Sequence, residues 1–137
     1  MIITAFGSGN ATLNVQITDP TMAPANTTCA APTVIPPTGG HFTGDFVEVP
    51  DTYRTNCGFG GSPDLIYELT IPAESDVTVN AASTTGEALD WELRPTCDSM
   101  TGAVHCSYGS PATATEHQLA AGTYYLILEG PTSSAVN

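Results

Sequence analysis

The chain has 137 residues, 14 acids, two arginines (Arg54 and Arg94) and no lysine, for a formal net charge of -12. Two cations cannot build the basic patch that neutralises nucleic-acid phosphates or docks on an anionic membrane. The absence of lysine excludes Schiff-base and Ser–Lys catalysis, and Lys–Asn isopeptide crosslinks with them. The length fits one domain, and 41% hydrophobic residues suffice for a core. Charged residues are only 12%, about half the usual share. Thr, Ser, Asn and Gly take their place, as on secreted β proteins. No run approaches the ~18 apolar residues of a membrane span, and Met1–Gly7 lacks the basic start of a signal peptide.

In chain order, Leu13, Val15 and Ile17 alternate with Asn14, Gln16 and Thr18 before Asp19-Pro20, which predicts a half-buried strand over 11–18. Residues 21–37 hold many prolines and read as an irregular connection. Phe42–Val49 alternates weakly. Asp64–Ile71 is a strong strand stopped by Pro72, and Val77 and Val79 share one face of the next. A turn falls near Thr85-Gly86. Leu89, Trp91 and Leu93 alternate with Asp90, Glu92 and Arg94 up to Pro95. After a turn at Ala120–Gly122, Thr123–Glu129 is apolar on both faces, which predicts a central strand. About eight strands and no helix signal predict an all-β, antiparallel two-sheet sandwich of jelly-roll or immunoglobulin-like type.

Four cysteines admit three pairings. The local one, Cys29–Cys57 with Cys97–Cys106, is the simplest. There is no CxxC, and His41, His105 and His117 are scattered, which argues against zinc. Two disulfides would place the chain outside the cytosol.

The start of the chain echoes its end. Met1–Asn10 can be laid on Leu126–Ser134, each an apolar run followed by a small polar turn. The strand 11–18 comes after the first copy only.

From Cys29 onward the sequence resembles bacterial pre-peptidase C-terminal (PPC) modules, small extracellular β-sandwiches that flank secreted proteases and recur in tandem in surface proteins. Three stretches carry the resemblance: Cys57 with Gly60-Gly-Ser-Pro-Asp-Leu-Ile-Tyr-Glu-Leu-Thr-Ile-Pro72; Leu89-Asp-Trp-Glu-Leu-Arg-Pro-Thr-Cys97 with Cys106; and Leu119-Ala-Ala-Gly-Thr-Tyr-Tyr-Leu-Ile-Leu-Glu-Gly130. The family's closing strand resembles Gly9–Ile17, which here lies ahead of the sandwich. The resemblance therefore implies a permuted window of a tandem repeat: 1–20 a strand segment completing a neighbouring sandwich, 21–137 a sandwich lacking its last strand. It also implies the local cysteine pairing. The family's Asn-Asp-Asp after the second cysteine of the short pair is replaced by Ser107-Tyr108-Gly109, which removes hard oxygen ligands for calcium.

Other residues invite a chemical reading. Asp64, beside a Gly-rich turn, reads as a turn cap, with calcium ligation the alternative. Asp90 and Glu92 share a strand face where carboxylates are usually solvated; paired-carboxylate glycosidase work finds no second supporting site. Ser62 lacks a nucleophile elbow. His105 adjoins a cysteine expected to be bonded and so not nucleophilic. Trp91 reads as core rather than a sugar platform, and Tyr124 and Tyr125 as packing residues. Asn10 and Asn26 begin N-glycosylation sequons. The sum predicts a non-enzymatic structural repeat of an extracellular or cell-surface fibre or array. Its partners are copies of itself, head to tail, joined by Leu13, Val15 and Ile17. No cofactor is expected, calcium at Asp64 or Asp90 being the one candidate, and no nucleic acid or membrane insertion. The alternative is a carbohydrate- or protein-binding accessory module of a secreted enzyme.

Overall fold

The computed structural model describes residues 12–58 and 60–131 and the backbone of 135 and 136. Its strands are β1 (Thr33–Ile35), β2 (Gly44–Asp45), β3 (Asp64–Ile71), β4 (Ser75–Ala81), β5 (Leu89–Arg94), β6 (His105–Gly109), β7 (Ala112–Leu119), β8 (Gly122–Glu129) and β9 (Ala135–Val136). Five of them form one sheet in the order β1-β3-β8-β5-β6, while β4 pairs β7 and β2 pairs β9. All ladders are antiparallel except β1 with β3. The strand apolar on both faces, β8, lies at the centre as its composition requires.

Period-2 alternation sorts this sheet into two faces. The inner face carries Leu65, Tyr67, Leu69, Leu89, Trp91, Leu93, Leu126 and Leu128, all buried in one core with Ala81, Ala112 and Leu119 of the β4–β7 ladder. Trp91 is a core residue, its indole N–H donating to the Ala112 carbonyl at 2.9 Å. The two layers make the expected all-β, disulfide-stapled sandwich. The outer face of the large sheet holds a smaller apolar cluster of Ile66, Ile127 and Cys97, packed by Cys29, Tyr53 and Tyr125. Irregular chain around Asn26–Cys29 and over 52–58 supplies this cover.

Three expectations are corrected. The disulfides are Cys29–Cys97 and Cys57–Cys106, not the local pairs. Cys57–Cys106 ties the irregular cover to β6, and Cys29–Cys97 ties it to the turn that follows β5. With partners 68 and 49 positions apart in sequence, the loop-entropy model assigns about 4 kcal/mol to each. Next, residues 12–18 belong to no strand and are exposed throughout; within one copy no sheet edge takes them. Last, of Phe42–Val49 only Gly44 and Asp45 enter a ladder.

Candidate functional site

Two places on the sandwich gather chemistry: a buried row of carboxylates on the outer face, and an open groove along β4.

The row is built by strand register. Asp64 faces Glu129 across β3–β8, and Glu129 faces Asp90 across β8–β5. Residues directly opposed in adjacent strands point to the same side, so the three acids stand side by side. Two residues along β5, on the same face, is Glu92; two further is Arg94. Asp64, Glu92 and Glu129 are 0% exposed, Arg94 1% and Asp90 2%. The expectation of a solvated face at Asp90 and Glu92 is thus overturned, because the cover segment lies over them. The turn-capping role of Asp64 is replaced by a long-range one.

Backbone donors of that segment end on these acids. Thr52 and Tyr53 N–H donate to Asp64 Oδ2 at 2.7 and 2.8 Å. Thr55 N–H donates to Glu129 Oε1 at 3.0 Å, and its hydroxyl to Asp90 Oδ1 at 2.6 Å. Asn56 N–H donates to Glu92 Oε2 at 2.6 Å. The carboxyl groups therefore replace the ladder partners that these backbone N–H groups lack. Arg94 Nη1 donates to the Arg54 carbonyl at 3.2 Å and lies 3.5 Å from Glu92. Gly58 completes the seal: a Cβ there would collide with the Asp90 carboxylate.

Four acids around one guanidinium leave the row short of positive charge. Burial, then the neighbouring Asp90 and Asp64, push the Glu129 carboxyl up to about 8. Burial also raises Asp64, against the lowering pull of the Tyr53 and Thr52 N–H groups. It lowers Arg94, against Glu92, Asp64 and Glu129, which hold the charge. Asp64 Oδ1 and Arg94 Nε and Nη2 are buried without a hydrogen-bond partner.

A cavity of about 230 Å3 opens beside the row, lined by Ser62, Glu87, Ala88, Asp90, Glu129, Gly130 and Pro131. The two calcium candidates, Asp64 and Asp90, are thus brought together around Glu129, which sequence reasoning missed. Asp90, Glu129 and Glu87 are the hard oxygen donors at that cavity. Among the described residues, no three His, Cys, Asp or Glu side chains form a group that could hold a metal ion.

The second place is a groove of about 450 Å3. It is lined by all seven residues of β4, by Ile35–Phe42, and by inner-face Tyr67, Leu69, Ile71, Leu93, Leu126 and Leu128. Leu13, Val15 and Ile17 lie outside it, 61, 72 and 91% exposed.

The remaining candidates sort simply. Ser62 lines the small cavity. His105 bonds Glu116 at 2.8 Å, and Cys106 is disulfide-bonded. Tyr124 is buried with its hydroxyl donating to the Ala120 carbonyl at 3.1 Å. The Asn26 side-chain amide nitrogen donates to the Ile66 carbonyl at 3.2 Å, and the Asn26 backbone carbonyl accepts the Ile66 N–H at 2.8 Å. Asn10, with all of Met1–Asn10 and residues 132–134 of its counterpart, lies outside the described residues.

Two disulfides fit an oxidising environment, extracellular or periplasmic. No helix among the described residues is long and apolar enough to cross a membrane. No protein-family model and no curated protein matches the chain.

Proposed function

We propose that this chain is a non-enzymatic structural module of an extracellular fibre or surface array, assembled by strand complementation between successive copies. The observation that carries the reading is a mismatch within one copy. Leu13, Val15 and Ile17 present an apolar stripe to solvent at 61, 72 and 91% exposure, while an apolar groove stands open against the core. Lone exposed apolar residues need no explanation, but three in strand alternation do.

Burying each of the three side chains in a neighbour's groove contributes about 1.5–3 kcal/mol, with ladder hydrogen bonds in addition. The contact is head to tail, so it propagates unless it closes into a ring. The PPC-like motifs fit a module used in series, and the acidic, lysine-free surface fits fibres that repel one another at low salt. Among the described aromatic side chains only Tyr108 is exposed, which favours this reading over a sugar-binding platform.

The test is assembly itself. Wild-type protein should show filaments or rings by negative-stain electron microscopy and large species by light scattering. Leu13→Asp with Val15→Asp should reduce these to single globules with an unchanged circular dichroism spectrum. Wild-type protein that stays monomeric at millimolar concentration would overturn the reading.

A further inference from the structure

The groove also identifies which edge of the sandwich receives the strand. Every residue of β4, odd and even, lines the groove, and no residue of β7 does. A cavity on a strand's face would meet alternate residues only. One met by all of them runs along the strand's edge, here the edge of β4 away from β7. In the described structure β4 pairs β7 alone, so this edge carries backbone groups open to a further strand. The competing edges are β1, β6, the far side of β7 and the β2–β9 pair, and among the described residues only Ile35 of these strands lines the groove.

Resting on the reading above, we infer that residues 12–18 of a second copy of this chain add to the free edge of β4, with Val15 opposite Val79. The register is set by parity. On β4, Asp76, Thr78 and Asn80 bond across to β7 on the outer side, through His117, Thr115 and Thr113. Val77, Val79 and Ala81 therefore face the core and pack there. The incoming Leu13, Val15 and Ile17 must point the same way, so odd residues oppose odd residues; a slip of one places all three in solvent. Each strand brings three inward apolar residues, Leu13, Val15 and Ile17 against Val77, Val79 and Ala81, and matching three to three sets Val15 against Val79 in either direction. An antiparallel strand then sets Leu13 against Ala81 and Ile17 against Val77; a parallel one exchanges these two. The outward residues Asn14, Gln16 and Thr18 are uncharged and extend a polar row of Thr and Asn. Asp76 offers no obstacle, since its carboxylate is held on the β7 side by His117 Nδ1 and the Gln118 N–H, each at 2.9 Å. The echo supports the same occupant. Leu126–Ser134 of one copy corresponds to Met1–Asn10, and the strand-like 11–18 comes directly after Met1–Asn10.

Two single-cysteine variants, Val15→Cys and Val79→Cys, test this when mixed under mild oxidation, since the described native cysteines are all bonded. The expected result is a 15–79 disulfide between copies, identified by peptide mass spectrometry, with yield at least about tenfold above the Val15→Cys and Val34→Cys mixture that probes β1. Large assemblies that form normally but give no 15–79 bond would overturn the β4 assignment while leaving strand exchange standing. Absence of assemblies for wild-type protein would overturn the underlying reading as well. A bond formed only inside one chain, in the double variant, would show the strand folding back on its own groove and would also refute the exchange. Leu13→Cys mixed with Ala81→Cys or with Val77→Cys then reads the direction.

Discussion

The two faces of the five-stranded sheet are buried by opposite means. The inner face is aliphatic and aromatic and is covered by a second ladder whose side chains fit by shape. The outer face carries Asp64, Asp90, Glu92, Glu129 and Arg94 and is covered by irregular chain. Its cover holds by directed bonds: carboxylates accept backbone N–H groups of residues 52–56, and two disulfides fasten the segment at Cys29 and Cys57. A segment with no ladder of its own needs acceptors placed on the sheet. The inner cover leaves a groove open along β4; the charged residues of the outer row are at most 2% exposed. The difference teaches that the outer face is closed by the chain's own irregular segments, while the inner layer leaves one edge of β4 without a paired strand among the described residues.

The largest expected effect breaks the outer cover. Replacing Cys29 and Cys97 by serine should lower unfolding stability by about 4 kcal/mol, read by urea denaturation, and expose residues 26–35 to proteolysis. An equal loss with no local exposure would show that the bond acts only on the unfolded chain and does not hold the cover.

A smaller effect comes from the protons of the row. Glu129 is raised from 4.5 to about 8, so the folded state holds a proton that the unfolded chain releases. The stability from this group is fully present below about pH 4.5 and is lost as pH rises to about 8. The slope over this window is at most about 1.4 kcal/mol per pH unit. Asp64, also raised, acts in the same direction. Glu129→Gln keeps a neutral acceptor for Thr55 and should flatten the fall in melting temperature between about pH 5 and 8. An unchanged profile would place the shared proton elsewhere.

Much of the fold was legible in the residues. Alternation located β3, β5 and β8, and the two-sided apolarity of Thr123–Glu129 placed β8 at the centre. The outer face was not legible, because alternation assigns a charged residue to the side away from the core and cannot see a cover with no periodicity of its own. Asp90 and Glu92 were therefore expected in water. The row itself depends on register between strands some 40 to 65 residues apart, which no local pattern encodes. The cysteine pairing was missed for a related reason: proximity in sequence favours Cys97 with Cys106, while the irregular segment brings Cys29 and Cys57 to them over long loops. The alternation of Leu13, Val15 and Ile17, proposed above as the strand for the groove, was visible in the residues; the free edge of β4 appeared only once β4 was seen to pair on one side.

Hydrogen–deuterium exchange measured across concentration tests strand complementation most directly. Strand complementation predicts that amides of 12–18 and those β4 amides that point away from β7 exchange fast in dilute protein. Both should become protected together as assemblies form, while β3 and β8 remain protected throughout. Assemblies in which residues 12–18 still exchange as fast as in dilute solution would contradict it.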